Sequence, residues 1–250
     1  MEASRASMAL SKFLRHIAPN PGSRSGMTPE GFVLLSRVLA SGGVAKHGLT
    51  EADARALVAA DGKQRFTLRE GLACAACAAA SLALASRCAC AAPRALWLRA
   101  NQGHSAFPGS ALRPELIFTR LRVPEGSPPP RAIHGTRLHA LALIKASGGL
   151  RPLKRTHVHF SQGLPGESGV ISGMRRGSTV LLHLDVARAL AEGLELFVSA
   201  NGVVLCSGNA EGLVPLHLFS RIDVHHGQGS CCAVSESDEG EGGAGDGGGE

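Results

Sequence analysis

No tyrosine occurs in the 250-residue chain, tryptophan occurs once, and aromatic residues make up only 4% of it. The core must therefore be built from aliphatic side chains, which the 44% hydrophobic content supplies. The commonest nucleotide-binding and hydrolytic devices are missing too. There is no GxxxxGK[ST] phosphate loop, no GxGxxG fingerprint, no HExxH pair and no GxSxG nucleophile turn. The opening MEASRASMALSKF has no apolar signal core, so nothing in it directs secretion. Functional-looking sequence from Leu10 onward also argues against a transit peptide. The seven cysteines are odd in number, with four in one alanine-rich stretch and Cys231 and Cys232 adjacent. That is no disulfide framework, and it points to a reducing interior, cytoplasmic or nuclear.

What is present begins with charge. The net charge is +6, but Glu236, Asp238, Glu239, Glu241, Asp246 and Glu250 lie in a terminal stretch without Lys or Arg. Setting those six negative charges aside leaves +12 on residues 1–235. A body this basic suits an anionic partner, nucleic acid first, or is simply a soluble basic domain.

Patterning predicts an α+β chain. Leu10, Phe13, Leu14 and Ile17 share one face of a helix over 10–18, and Phe32, Leu35, Val38 and Leu39 share one over 29–41. Thr50 and Asp53 are spaced as a capping box for a third helix through Ala60. Residues 64–68 and 96–98 read as paired strands, so that three helices and a two-stranded wing make an N-terminal winged-helix lobe over 8–120. Within it, residues 72–95 are mostly Ala, Cys and Leu. This run is weak as a membrane span because Arg87 interrupts it, and no membrane partner is expected. It fits an alanine-rich insertion in the wing better than a metal site on Cys74, Cys77, Cys88 and Cys90. A proline-rich linker, 121–131, leads to a mixed lobe over 132–225. There the expected elements are helices 137–147 and 186–192, strands 157–161, 179–186, 194–199 and 203–206, and a hairpin at Asn201–Gly202. The acidic tail, 226–250, is expected to be disordered.

Several polar sets stand out. Arg15 and His16 flank the apolar face of the first helix, where they either meet solvent or reach a cleft. Arg99–Ser105, RANQGHS, leaves a strand with unusual polar density, a pattern common in binding loops. In His134–Gly135–Thr136, the threonine is placed to cap the next helix, whose N-terminal amides then face an anion. His157, His159 and Ser161 alternate on one strand face, where they must be exposed or used. The His-x-His pair has no evident third metal ligand, and no metal is expected. Gly173-Met-Arg-Arg-Gly177 places arginines at a strand entrance, suited to a phosphate.

In this order the segments resemble the NAD-dependent tRNA (RNA) 2′-phosphotransferase family. The resemblance rests on LSKFLRHIA, EGFV at 30–33, KQRFTL at 63–68, LRANQGHS at 98–105, HGT, RTHVHFS, VISGMRRG at 170–177 and FVSANGVVLCSGN at 197–209. It spans about Leu10 to Ile222. The resemblance implies an N-terminal winged-helix RNA lobe and a C-terminal ADP-ribosyltransferase-like mixed α/β lobe. The implied reaction moves the splice-junction 2′-phosphate of tRNA, or an internal 2′-phosphate of another RNA, onto NAD. Its products are RNA with a free 2′-hydroxyl, nicotinamide and ADP-ribose 1″,2″-cyclic phosphate. By resemblance, Arg15, His16, Arg99 and Arg175 form the catalytic phosphate-binding set. His134, Gly135 and Thr136 belong near the adenosine side of NAD, with His159 and Ser161 on the facing strand and Asn201 and Gly202 on the nicotinamide side. The 72–95 insertion departs from the pattern just before Arg99, where a displacement of about 1 Å costs roughly a hundredfold in rate. Two other readings stay open: an ADP-ribosyltransferase that caps terminal phosphates, and an RNA-binding module without catalysis.

Overall fold

The computed structural model describes residues 2–74, 92–171, 174, 177–225 and 231–233. Helix α1 (Glu2–Lys12) runs directly into a π-turn over Phe13–Ile17. The helix thus starts earlier than the apolar spacing suggested. The π-turn is closed by the Ala18 amide donating to the Phe13 carbonyl at 2.8 Å. One extra residue in that turn changes which side chains face inward. Leu10, Phe13 and Leu14 are buried as expected, but Ala18 takes the next inward place and Ile17 is exposed.

The expected helix over 29–41 begins late. Thr28 starts a tight turn in which the Phe32 amide donates to its hydroxyl at 3.1 Å, the Gly31 amide donates to its carbonyl, and its own amide donates to the Phe32 carbonyl, with Gly31 at φ +79°. Strand β1 (Val33–Leu34) follows, and only then the helix α2 (Leu35–Ala40). A short helix α3 (Gly42–Ala45) precedes α4 (Glu51–Ala59), which carries the capping box between Thr50 and Asp53. Strands β2 (Phe66–Leu72) and β3 (Arg94–Ala100) are longer than expected, and the antiparallel sheet order is β1-β3-β2. Leu10, Leu14, Val33, Val38, Ala54, Phe66 and Leu98 pack as one aliphatic core between these helices and this sheet.

Most of the 72–95 run, including Cys77, Cys88 and Cys90, lies outside the described residues. Its ends are plain strand: pairing runs from Phe66↔Ala100 to Leu72↔Arg94 without a shift, and the Ala73 amide donates to the Pro93 carbonyl. Arg99, opposite Thr67, therefore keeps its register beside the insertion.

After a one-turn helix α5 (Pro114–Ile117), strand β4 (Thr119–Arg120) joins β9 (Leu196–Val198), so these residues belong with the C-terminal sheet although they precede the prolines. Strands β5 (Ile133–Thr136) and β6 (Gly149–Leu150) flank helix α6 (Leu138–Ala146), and β7 (Val158–Phe160), β8 (Val180–Leu184) and α7 (Val186–Ala191) follow. The chain closes with β10 (Val204–Cys206), β11 (Val214–Pro215), β12 (Phe219–His225) and β13 (Cys231–Ala233). Two four-stranded antiparallel sheets result, β4-β9-β10-β7 and β13-β12-β8-β5, with β6 and β11 as a separate pair. They meet where Ile133 and Ser161 exchange two backbone hydrogen bonds of 2.8 Å. Strand β13 lies inside the stretch expected to be disordered; the rest of 226–250 is outside the described residues. Among the described residues, no helix is long and apolar enough to cross a membrane.

A buried cationic cluster and its surroundings

The π-turn sets Arg15 and His16 against the RANQGHS segment. The Ser105 amide donates to the Arg15 carbonyl at 2.8 Å, and His16 Nδ1 lies 2.9 Å from the Ser105 hydroxyl. Gly103, at φ +86°, leaves room for Arg15: a Cβ there would sit 3.5 Å from Arg15 Cδ and Nε. Ser105 bridges Arg155, the Thr156 amide donates to the His104 carbonyl, and the Ala106 amide donates to the Lys154 carbonyl. This short ladder brings Arg155 to Arg15 and His16, and both feel its charge.

Arg99 is held from the other side by the Thr28–Phe32 turn. Its guanidinium stacks 4.8 Å from the centre of the Phe32 ring, with Arg69 5.1 Å from the same ring. Its Nη1 donates to the Glu30 carbonyl at 3.3 Å. The same turn abuts His104, since a Cβ on Gly31 would be 3.5 Å from His104 Nε2. His104 is only 1% exposed and feels Arg15, Arg99, His157 and His16, so it lies at the junction of the set.

The electrostatics are those of cations gathered away from water. Burial first, then Arg155 and Arg65, pull Arg15 down to about 10. Arg99 is lowered by burial and Arg69, and His16 by burial, Arg15 and Arg155. Burial brings His104 and His159 to about 3, with positive neighbours adding to it, so both rings are neutral. Asp61 is the carboxylate facing Arg15, but Arg65 already engages it through Nε and Nη2. Among the described residues, Arg15 Nε and Nη2, Arg99 Nε, His104 Nε2 and His159 Nε2 are buried without a hydrogen-bond partner. Native interiors rarely leave such groups unmade. The arginine donors among them suit an anion with several oxygens.

The remaining residues divide. Arg175 lies outside the described residues. His134, Gly135 and Thr136 form strand β5, paired with Leu182, Leu181 and Val180. Thr136 is therefore not the helix cap: Arg137 occupies the N-cap of α6 and makes no side-chain cap bond. His134 Nδ1 lies 2.9 Å from the His159 carbonyl, and since a carbonyl only accepts, that nitrogen carries the proton. By the same logic His159 Nδ1 donates to the His157 carbonyl, leaving Nε2 as an acceptor. Gly135 is bare for a reason: a Cβ would lie 2.6 Å from Met174 Cγ and Ser178 Oγ.

His157 and Ser161 are turned to packing. His157 is edge-on to Phe118 and Phe197, with ring centres 5.4 and 6.0 Å away, and the Ser161 hydroxyl donates to the Gly163 carbonyl at 2.7 Å. Asn201 is also internal, because its Nδ2 donates to the Lys63 carbonyl and its Oδ1 accepts from the Ser199 hydroxyl. Gly202, at φ +75°, closes the hairpin, and its carbonyl accepts from Gln162 Nε2. These contacts occupy both polar ends of Asn201 and do not present it to a ligand.

Sequence reading missed Arg155 and His104 as individual site residues. Each lay inside a quoted segment, but the ladder that recruits them joins distant parts of the chain.

The model of the family described as RNA 2′-phosphotransferase, Tpt1 / KptA family, matches residues 1–208. Relatives agree in name. The chain is 33% identical over 219 residues to tRNA 2′-phosphotransferase 1 of Danio rerio, spanning 87% of this chain and 84% of that one. Against tRNA 2′-phosphotransferase 1 of Mus musculus the identity is 37% over 210 residues, 83% and 72% of the two chains. Against tRNA 2′-phosphotransferase of Saccharomyces cerevisiae it is 31% over 222 residues, 87% and 82%. With a model match that begins ahead of the π-turn and runs past β10, the chain belongs to the RNA 2′-phosphotransferase family and is a transferase.

Proposed function

We infer that this chain removes a 2′-phosphate from RNA, that of a tRNA splice junction first, with NAD as the acceptor. The observation that carries the reading is the gathering of Arg15, Arg99 and Arg155, each half-buried, around the buried His104, with buried partnerless donors on Arg15 and Arg99. A phosphate dianion supplies the charge and the acceptors that the Arg15 and Arg99 donors lack. Guanidiniums stay charged even at Arg15's lowered pKa, so the clamp is cationic at neutral pH. Arg175 is assigned to the same clamp by family resemblance. His16, hydrogen-bonded to the Ser105 hydroxyl, is oriented to hold or pass a proton at Nε2.

NAD supplies a ribose whose anomeric carbon accepts the phosphate. The residues fit such a ligand. Gly135 leaves the β5 surface bare except for the flexible end of Met174 and the Ser178 hydroxyl, and His159 Nε2 is a buried acceptor awaiting a hydroxyl. We assign His134, Gly135, Thr136 and His159 to that side, with Ser161 shaping the Gly163 turn beside it and Asn201 and Gly202 bracing the neighbouring hairpin. The β1-α2-α3-α4-β2-β3 order, with sheet order β1-β3-β2, supports a winged-helix RNA lobe. The paired antiparallel sheets joined at Ile133–Ser161 support an ADP-ribosyltransferase-like lobe.

The test is product analysis by mass. Purified protein with NAD and an RNA bearing one internal 2′-phosphate is expected to release nicotinamide, 2′-hydroxyl RNA and a cyclic phosphate of ADP-ribose. RNA that keeps its 2′-phosphate after prolonged incubation overturns the reading, and ADP-ribosylated RNA as the end product replaces it with a capping transferase.

A further inference from the structure

Behind the cationic cluster lies an apolar cleft of about 540 Å³, which no step above uses. Phe107, Pro108, Leu112, Ile117 and Phe118 line it, with His104, Thr156 and His157 on the side facing the cluster. We propose that this cleft is a nucleobase subsite, which receives one unstacked base of the RNA whose phosphate occupies the cluster. The proposal rests on the function inferred above and adds where the substrate's bases go.

Continuity is the first argument. The ladder of residues 104–106 and 154–156 separates cluster from cleft. Ser105 turns its hydroxyl to His16, while His104 and Ala106 on either side of it line the cleft, as alternation along an extended segment requires. A nucleotide bound by its phosphate on one face has its base within reach of the other.

Chemistry is the second. A base is a flat apolar ring with a polar rim, and proteins that read single-stranded RNA splay bases onto aromatic side chains. The cleft has that composition. Its wall is firm: the Phe118 ring is held edge-on by His157 at 5.4 Å and tilted against Phe197 at 6.4 Å. One lining side chain carries a polar atom with nothing to bond. His104 is 1% exposed and lines the cleft, and its Nε2 has no partner among the described residues. As a neutral ring nitrogen it offers a single hydrogen-bonding position for the rim of a base. The volume falls within the usual range for small-molecule pockets, about 300–1,000 Å³, and suits one nucleoside rather than a duplex.

The experiment uses the full chain, saturating NAD and short RNAs with one internal 2′-phosphate. An abasic residue replaces, in turn, the phosphorylated nucleotide, its 5′ neighbour and its 3′ neighbour. Ala106→Trp fills the mouth from an exposed position, and Phe107→Ala removes a wall; melting temperatures confirm that both variants fold. Loss of one stacked base is expected to raise the KM for RNA about tenfold at one of the three positions. Ala106→Trp raises the KM for intact RNA by a similar factor and makes that abasic RNA no worse, because loss of the base and filling of its site do not add. Phe107→Ala acts in the same direction. Additive losses at all three positions overturn the proposal. So does a raised KM for NAD in Ala106→Trp, which gives the cleft to the nicotinamide end instead. Binding of the same RNAs without NAD, read by fluorescence anisotropy, separates the two readings. A chain that binds but never turns over removes the reaction, while the abasic series still decides the cleft.

Discussion

Replacing Asn201 with alanine separates two roles for that residue. In the fold, Asn201 is 2% exposed and ties the β9–β10 hairpin to the loop before β2. Its Nδ2 donates to the Lys63 carbonyl at 3.1 Å, and its Oδ1 accepts from the Ser199 hydroxyl at 2.8 Å. Truncation removes two neutral hydrogen bonds, each worth about 1 kcal/mol net. The groups left behind are not stranded. The Ser199 hydroxyl keeps the Val203 amide at 3.1 Å and the Val203 carbonyl at 3.2 Å, and Lys63 sits where water reaches it. The expected cost is therefore about 2 kcal/mol, well below the penalty for a buried orphan. For a chain of this length that lowers the melting temperature by about 4–8 °C. Differential scanning fluorimetry measures the shift, and steady-state kinetics at varied NAD measures the co-substrate. The expected result is the thermal loss with the KM for NAD unchanged. An unchanged melting temperature with a KM for NAD raised tenfold refutes the reasoning and returns Asn201 to the nicotinamide side.

Two further perturbations bear on the cluster and its histidines. Arg15→Met, which keeps length and removes charge, is expected to cut turnover by roughly 10²–10³-fold, the usual cost of losing a donor to developing charge. Its melting temperature is not expected to fall, because it removes a cation that burial and Arg155 already oppose. Inorganic phosphate at about 100 times its Kd raises the parent's stability by about 2.7 kcal/mol and raises Arg15→Met less; equal gains count against the cluster as the phosphate site. The second concerns pH. The unfolded chain protonates its histidines below about pH 6.5, whereas folded His104 and His159 do so only near 3. Their stabilisation is thus present above about pH 6.5 and lost as pH falls, by about 1.4 kcal/mol per unit for each group. Urea titrations between pH 6.5 and 5, above the range where the carboxylates respond, are expected to show His104→Asn flattening that slope; an unaltered slope contradicts the buried neutral ring.

How much of this was legible depended on whether a signal was local. The capping box of Thr50 and Asp53, the 186–191 helix and the β9–β10 hairpin each follow from a few adjacent residues, and each stands where the pattern placed it. Even there a detail was hidden. Gly202 donates to Ser199 and follows the turn as a bulge residue, so the loop is longer than the two-residue form that Asn-Gly suggests. The 29–41 segment has genuine helical spacing, yet Val33 and Leu34 pair with Leu98 and Trp97, partners that no local window contains. Likewise, HGT reads as a cap when Thr136 is seen beside a helix, and as a strand once Val180 is opposite. The proposed phosphate-binding set divides along the same line. Arg15, His16 and Arg99 were found because their segments resemble a family. Arg155 is one basic residue among many until Ser105 pairs with it.

The two local surprises in the N-terminal half also explain why the cluster can exist. Cations drawn together under partial burial repel one another, so a fold that merely sought stability would let the chains swing out into water. Here each is held by backbone it does not control. The π-turn fixes Arg15 and His16 through the Ala18–Phe13 bond, and the Thr28–Phe32 turn fixes Arg99 through the Phe32 ring and the Glu30 carbonyl. Both irregularities interrupt what the hydrophobic spacing alone would have made regular helix. Each also carries or holds a side chain with unused donors, Arg15 on the π-turn and Arg99 against the other turn, while Phe13, Leu14 and Ala18 still anchor the π-turn in the aliphatic core. Preorganised donors cost nothing to reorganise when charge arrives, which is the condition for stabilising a phosphate in reaction rather than only binding it. Restoring a regular helix at either place relaxes the repulsion and, by the same argument, loses the site.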